Sequence, residues 1–219
     1  MGITAGLHAD LSNEAYHADT EWYSSSVLKR QLPEHYKQGG SQEALDFGTL
    51  FHTVVLEPDN LGGYVVLDAA KIGLKSDGTV AANPTMTQAW KRAVAEAQQA
   101  GSIVVAQEDW DRAHAMRDAI DKHATASQLL ASAPAREESA FWEDEQGIRH
   151  KARFDARGPS FVLDLKSTST KPGARSLRYA VRDYGYHLSA AHYMTVANGL
   201  RLDVDTFALL FVTKTEPYY

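Results

Sequence analysis

Three short strands joined by two tight turns place the strongest constraint on how this chain folds. Apolar, aromatic and β-branched residues are frequent at 139–142, 150–155 and 161–166, and such runs are typical of strands. The connections at 144–147 and 157–160 contain Asp, Gly, Pro and Ser, which favour turns. Because connections this short join antiparallel neighbours, the segment predicts a three-stranded meander.

Helical patterns surround this meander. A cap at Ser24-Ser25-Ser26 predicts a short helix ended by Pro33, and an apolar run at 48–56 predicts a buried helix that stops before Pro58. Further helices are predicted at 85–100, 107–131 and 174–198, the last closed by Gly199, and further strands at 64–67 and 206–213. We expect an α/β fold in one domain, residues 1–219, with a mainly helical part at 1–133 and the core at 134–219.

Composition excludes several classes of protein. The chain has 219 residues, 44% of them hydrophobic, which is enough to bury one core of ordinary size. It contains no cysteine, so neither disulfides nor thiolate metal ligands are expected. No apolar run approaches the roughly 18 residues of a membrane span, and the N-terminus lacks a signal-peptide pattern. We expect a cytoplasmic protein with no membrane partner.

Charge is distributed unevenly along the chain. The formal net charge is −6, but residues 149–182 contain nine basic residues and only two acidic ones, Asp155 and Asp164. An acidic protein with one basic stretch suits the steering of DNA to a single cleft. A basic hairpin and helix on a solvated face is the alternative interpretation.

Asp164 and Lys166 share one side of the third predicted strand. Residues two apart in a strand face the same side, roughly 6.5 to 7 Å apart, while Leu165 faces the opposite layer. Charges in so apolar a strand are costly unless they are paired or bind a metal. By itself the pair indicates either an internal ion pair, an exposed strand end or a functional site.

Asp155 extends this pair into a candidate metal site. It ends the preceding strand, and the following turn brings that strand back beside Asp164. Two carboxylates suit a hard divalent cation such as Mg²⁺, for which Mn²⁺ would substitute. A regular hairpin centred on Gly158-Pro159 would separate the two Asp residues by about three rungs, roughly 10 Å, so the strands must splay or bulge there.

Several segments resemble consecutive motifs of the RecE-type, exodeoxyribonuclease VIII-like, PD-(D/E)XK exonuclease family, whose members are often encoded by phages or prophages. They are YHA at 16–18, SVLK at 26–29, GTLFHTVVLEP at 48–58, SAFWED at 139–144, KARFD at 151–155, LDLKST at 163–168 and YGYHLSAAHY at 184–193. The resemblance covers nearly the whole chain in the family's order. It implies a restriction-endonuclease-like core with a central mixed sheet flanked by helices.

The resemblance also implies a set of site residues. The metal ligands would be His52, Asp155, Asp164 and the backbone carbonyl of Leu165, with Lys166 beside the attacking water. An acidic residue on the strand before Trp142 belongs to the pattern, and Glu137 is preferred to Glu138. Without the motif, His52 would be interpreted as a core residue of an apolar helix.

Contacts to DNA phosphates are expected from a further group of residues, although each is equally explained as a helix cap or a solvated charge. They are Ser24, Ser25, Ser26, Lys29, Arg30, Arg175 and Arg178. His187 and His192 are interpreted as structural residues of the helix near the site.

The activity implied by the resemblance is Mg²⁺-dependent digestion of linear double-stranded DNA from its ends, in the 5′-to-3′ direction. The product would be single-stranded DNA for recombination through an annealing recombinase partner, and the enzyme would be a ring-shaped homo-oligomer.

Two departures weaken the match. Ser189 stands where many superfamily members carry Gln, and the sequence stops at 215–219 where family members continue, as expected of a truncated or minimal form.

Other classes of function stay open at this point. The chain could be an endonuclease, a phage-exonuclease type acting as a trimer, or a catalytically silent DNA-binding module with the same fold. A small-molecule enzyme or interaction protein with a coincidental Asp-x-Lys is a further class. It predicts that His52, Asp155, Asp164 and Lys166 do not converge.

Overall fold

The structure is a computed structural model that describes residues 2–32, 40–170 and 173–218. Pro33, predicted to end the second helix, and Lys171, counted in the basic stretch, lie outside the described residues. The chain forms two compact units, one comprising Met1–Leu45 with Ala119–Tyr219 and the other Asp46–Asp118.

The described elements alternate between helices and strands. The strands are β1 (Gly6–His8), β2 (Tyr64–Leu67), β3 (Ile103–Ala106), β4 (Ala135–Glu143), β5 (Arg149–Arg157), β6 (Phe161–Thr168) and β7 (Thr206–Thr213). The helices are α1 (Asn13–Ala18), α2 (Ser25–Lys29), α3 (Gln42–Leu56), α4 (Ala69–Ile72), α5 (Gln88–Gln99), α6 (Gln107–Lys122), α7 (Ala124–Ala131), α8 (Ala174–Asp183) and α9 (Tyr186–Gly199). Two 3-10 turns cover Pro58–Gly63 and Pro84–Met86.

A five-stranded mixed sheet in the order β1-β4-β5-β6-β7 forms the centre of the first unit. The predicted meander is confirmed, because β4, β5 and β6 pair antiparallel in sequence. β7 returns parallel to β6, with Phe161 opposite Thr206, after a crossover through α8 and α9. The α/β fold class predicted from the sequence, a mixed sheet flanked by helices, is therefore confirmed.

α9 is fixed against this sheet by apolar packing. Val196 and Ala197 of the helix are fully buried together with Phe154 and Val162 of the strands. At Gly199 an added Cβ would lie 2.2 Å from the Trp142 ring, so a side chain larger than hydrogen does not fit there. The close packing fixes the C-terminal half of α9 against β4 and β5.

The predicted helix at 174–198 is two helices in the structure. α8 ends at Asp183 and α9 begins at Tyr186, because Gly185 between them has a left-handed φ of +63°. Glycine adopts this conformation without the steric penalty that a Cβ brings. The chain therefore turns at Gly185, and α8 and α9 present different faces.

The second unit contains most of the predicted helical part. α3 buries Leu50, Phe51 and Val54, as its apolar run predicts, but it begins at Gln42 rather than at 48. The strand predicted at 64–67 is confirmed, and it pairs in parallel with β3, a strand of four residues that the sequence did not predict. No helix in the described ranges is long and apolar enough to cross a membrane.

Candidate active site

The strands β5 and β6 part at the predicted site. Their ladder pairs Arg157 with Val162 and Ala156 with Leu163, and it stops there. Continuing this register would place Asp155 directly opposite Asp164. The expected separation of about three rungs is therefore wrong, because the turn is centred one residue later than Gly158-Pro159. The expected splaying of the strands is observed at this point.

The carboxylate of Asp155 lies where the ladder stops. Its Oδ2 accepts a hydrogen bond of 2.6 Å from the backbone N–H of Leu165, and the residue is only 6% exposed. The side chain thus satisfies a buried donor that a strand neighbour would otherwise satisfy. This contact holds β6 open beside Asp155 and fixes the Leu165 peptide at the same place.

Asp164 and Lys166 lie on one side of β6, as their spacing predicts. Lys166 Nζ donates a hydrogen bond of 2.7 Å to Asp164 Oδ1, and Asp164 is 3% exposed. Burial lowers the pKa of Lys166, but the charges of Asp164 and Asp155 raise it by more, so the net pKa lies above its ordinary value. Lys166 is a cation in this environment.

The other oxygen of Asp164 is the unusual feature of the site. Oδ2 is buried and has no hydrogen-bond partner among the residues that the structure describes. Buried carboxylate oxygens are almost always satisfied, because leaving one unpaired costs about 1–3 kcal/mol or more. An oxygen of this kind fits a hard cation as its missing partner.

Glu137 faces Asp155 across the β4–β5 pair. The ladder pairs Arg136 with Ala156 and Glu138 with Phe154, so its register places Glu137 opposite Asp155. Carboxylate oxygens of the two residues lie within 4.8 Å of each other. Like charges directly opposite in a sheet repel each other unless a cation lies nearby. Part of this charge is offset by Arg153, whose Nε donates a bond of 2.8 Å to Glu137 Oε2.

The backbone at Glu137 has a left-handed φ of +46°. This conformation costs a residue with a side chain on the order of 1 kcal/mol or more, and such strain is concentrated at functional sites. The neighbouring Glu138 instead receives two bonds from Arg157, of 2.6 and 3.0 Å. The geometry therefore favours Glu137 over Glu138 as the acidic residue of the site.

Two tyrosines of α9 belong to the site's surroundings and were not predicted. The Tyr186 ring centre lies 5.7 Å from Lys166 Nζ, and burial raises the pKa of Tyr186. Burial, with a further contribution from the charge of Asp164, raises the pKa of Tyr193 well above its ordinary value. The two residues are seven apart in the motif at 184–193, a spacing that puts them on one helix face and could have identified them.

The predicted DNA contacts on α2 have different environments. Ser24 caps the helix, since its hydroxyl accepts from the Val27 N–H, and it bonds the Ser26 hydroxyl at 2.9 Å. Lys29 is half-buried and donates to the Tyr184 carbonyl at 3.4 Å. Burial lowers the pKa of Lys29, and the charge of Lys166 lowers it further. The charges of Lys166 and Asp164 both act on the pKa of Lys29, so its ammonium group lies close to that pair.

The remaining predicted residues lie on other elements. Arg30, Arg175 and Arg178 are exposed, the last two on α8. His52 lies on α3 in the second unit and is partly buried, whereas its sequence neighbours Phe51 and Thr53 are buried. Its place in the ligand set stays a prediction that rests on the family resemblance.

His187 and His192 were interpreted as structural residues of the helix. His187 is exposed, and its Nδ1 lies 3.3 Å from the Val181 carbonyl. His192 is buried and donates from Nε2 to the Lys151 carbonyl at 3.1 Å. The contact of His192 is structural, as expected.

A mixed sheet whose splayed central strands carry Asp155, Asp164 and Lys166 defines the PD-(D/E)XK class of fold. Residues 23–218 match the model of a PDDEXK-like domain of unknown function, DUF3799. Because this match spans most of the sequence, the chain belongs to that family.

Comparison with solved structures supports the same fold. The chain is similar to a crystal structure from Eubacterium rectale that is named "Putative exonuclease", with a TM-score of 0.54 and 15% sequence identity. The match covers 96% of this chain and 76% of the other. At that identity the likeness shows the fold. No curated protein matches the sequence.

Proposed function

We propose that this protein is a divalent-metal-dependent deoxyribonuclease that digests linear double-stranded DNA from its ends. The observation that carries the proposal is the buried, unpartnered Oδ2 of Asp164, beside the charge of Lys166. A site built only for stability would pair that oxygen, whereas a metal site leaves an oxygen for the ion.

The residues present suit Mg²⁺, with Mn²⁺ as a substitute. Asp164, Asp155 and Glu137 supply carboxylate oxygens, and the Leu165 carbonyl would complete the oxygen set. His52 is proposed as a further ligand on the strength of the motif at 48–58. Bound at these residues, the ion would lower the pKa of a coordinated water and neutralise oxygens of the scissile phosphate.

The chain's own cations would act on the rest of the phosphate. Lys166, held at 2.7 Å from Asp164, would orient the attacking water and offset the charge that develops at phosphorus. Lys29, anchored to the Tyr184 carbonyl, would bind a neighbouring phosphate as a point charge. Tyr186 limits the position of the Lys166 ammonium through its ring.

The finer assignment follows from the resemblance to RecE-type enzymes. On this basis we propose that the protein digests DNA exonucleolytically in the 5′-to-3′ direction and acts in recombination with an annealing recombinase. We further propose that it has a phage or prophage origin and works as a ring-shaped homo-oligomer in the cytoplasm. The support is the order of the motifs along the chain, together with the residues they place in the site.

The test uses linear duplex DNA labelled at either the 5′ or the 3′ end, incubated with the full chain and Mg²⁺. We expect mononucleotides from the 5′-labelled strand, loss of hydrolysis in Asp164→Ala and Lys166→Ala, and intact closed circles. Hydrolysis that survives both substitutions would overturn the assigned site. Cleavage of closed circles would favour an endonuclease, and binding without cleavage would favour a silent DNA-binding module.

His52 requires a separate measurement, because its ligand role rests on resemblance. We expect His52→Gln to weaken the rise in melting temperature that Mn²⁺ produces, while the melting temperature in EDTA changes little. An unchanged response to Mn²⁺ would remove His52 from the ligand set and leave the carboxylates in place.

A further inference from the structure

One face of α8 carries a concentration of exposed positive charge. Arg175, Arg178, Tyr179 and Arg182 occupy positions i, i+3, i+4 and i+7 of the helix, so they lie along a single stripe. All four are exposed, and they line an open recess of about 400 Å³. The stripe runs about 10 Å along the helix axis, which is the length of seven residues at ~1.5 Å each.

Two arginines of this stripe, Arg175 and Arg182, contact the ring of the tyrosine. The guanidinium carbon of Arg182 lies 5.1 Å from the Tyr179 ring centre, and that of Arg175 lies 6.0 Å from it. Contacts of this kind hold the long side chains over the ring and reduce the entropy lost when they bind a ligand. The stripe is therefore partly organised before any ligand arrives.

The positive charge of the stripe is poorly compensated. Asp183 is the only acidic residue of α8, and it pairs with Arg182 at 2.7 Å. Within the part of the chain that the structure describes, Arg175 and Arg178 form no ion pair, although Arg178 Nε donates to its own helix at Ala174. The stripe thus attracts a polyanion, and it faces solvent rather than a partner in its own fold.

Tyr179 distinguishes between the polyanions that could bind. The residue is 46% exposed between Arg175 and Arg182, where a surface that only contacts phosphates has no need of an aromatic ring. Unpaired bases stack on tyrosine rings and on guanidinium planes, whereas the bases of a duplex are already stacked on each other. Phosphate-binding cations around an exposed ring match single-stranded nucleic acid.

We propose that the exposed face of α8 binds single-stranded DNA. The inference rests on the proposed function and deepens it, because digestion of one strand leaves the other unpaired. α8 leads through Gly185 to Tyr186, whose ring contacts Lys166. A strand leaving the site along this connection meets Arg182 first and then Tyr179 and Arg178.

The test is fluorescence anisotropy with a labelled 20-nucleotide oligo(dT) and, separately, a labelled duplex of equal length, both in EDTA so that no hydrolysis occurs. We expect Tyr179→Leu to weaken binding of oligo(dT) about tenfold, since stacking of one base contributes an effect of that order. Tyr179→Phe, which keeps the ring, should bind like the unaltered chain. Duplex binding should be nearly unchanged in both variants.

A charge variant tests the arginines independently of the ring. The double substitution Arg175→Gln with Arg178→Gln should weaken oligo(dT) binding and flatten its dependence on salt concentration, because fewer counterions are released. Arg92→Gln is the matched control, since Arg92 is a 78% exposed arginine on α5. It should leave the affinity and the salt dependence unchanged.

Several results would overturn the inference. One is an oligo(dT) affinity that changes neither in Tyr179→Leu nor in the Arg175→Gln, Arg178→Gln double variant. Another is a loss of affinity that is equal for oligo(dT) and for duplex DNA. A third is competition by polyglutamate that is as effective as competition by unlabelled oligo(dT). The last outcome would indicate an acidic protein partner. Binding is measured without hydrolysis, so the two proposals can fail separately. A chain that binds oligo(dT) through α8 but does not hydrolyse DNA would refute only the nuclease proposal. A chain that hydrolyses DNA but does not bind oligo(dT) through α8 would refute only this inference.

Discussion

The carboxylate of Asp155 occupies the position of a strand partner for Leu165. Its Oδ2 accepts the Leu165 N–H at 2.6 Å where the β5–β6 ladder ends. One side chain therefore maintains the irregularity of the sheet and also supplies charge to the candidate metal site. Substitutions that separate these two roles test the site directly.

Asp155→Asn and Asp155→Ala should differ in stability. The asparagine oxygen can still accept the Leu165 N–H, whereas alanine leaves this buried donor unpaired, at a cost of about 1–3 kcal/mol. We expect the free energy of unfolding in urea with EDTA to be lower for Asp155→Ala than for Asp155→Asn by roughly that amount. Equal stabilities would show that the contact does not hold the strands apart.

Both Asp155 variants should lose hydrolysis of linear duplex DNA, since neither supplies the carboxylate charge. Activity retained in Asp155→Asn would limit the residue to its structural role.

Glu137 and Glu138 should separate metal binding from stability. Glu137→Gln should reduce the stabilisation by Mn²⁺, which for the unaltered chain is about 2.7 kcal/mol at a concentration 100 times the Kd. Glu138→Gln should lower stability in EDTA, because it weakens the paired contact with Arg157, and should keep the response to Mn²⁺. Melting curves of both variants with and without Mn²⁺ make the comparison. The opposite pattern would assign Glu138 to the site.

Lys166→Gln should reduce the rate of hydrolysis by about 10²-fold or more, the usual effect of removing one group that stabilises charge in a transition state. The variant should still be stabilised by Mn²⁺, since the carboxylates remain. Single-turnover hydrolysis of labelled duplex and melting curves are the two measurements. A variant with a normal rate would exclude Lys166 from the chemistry.

Acid should destabilise the protein partly through His192. Burial lowers the pKa of His192, and the nearby His150 lowers it further. Hydrogen bonds to backbone carbonyls raise it by less, so the net pKa lies below its ordinary value. Below about pH 6.5 the unfolded chain then binds a proton that the folded chain does not, so the free energy of unfolding falls as pH falls.

We expect this loss between pH 7 and pH 5.5 to be smaller in His192→Asn, which cannot titrate there. Urea unfolding at the two pH values measures it, and an equal loss in both proteins would exclude His192 as a cause.

Local patterns were sufficient where an element's character depends on its own residues. The apolar run at 206–213 predicted β7 with its observed bounds, and the serines at 24–26 predicted the cap of α2. The break between α8 and α9 was missed, because the helical pattern continues through Gly185 and glycine is tolerated within helices. β3 was missed because a strand of four residues, Ile103–Ala106, gives too short a pattern to be distinguished.

The spacing of Asp164 and Lys166 is enough to place them on one side of a strand, because side chains alternate with a period of two wherever a strand forms. Only the folded chain places Asp155 at the end of the β5–β6 ladder, next to Asp164 in its register, and Glu137 opposite Asp155 in the register of β4 and β5. Those relationships depend on the register of β4, β5 and β6. The register is set by the conformation of the turns and by burial against α9, and neither property belongs to any one of the strands.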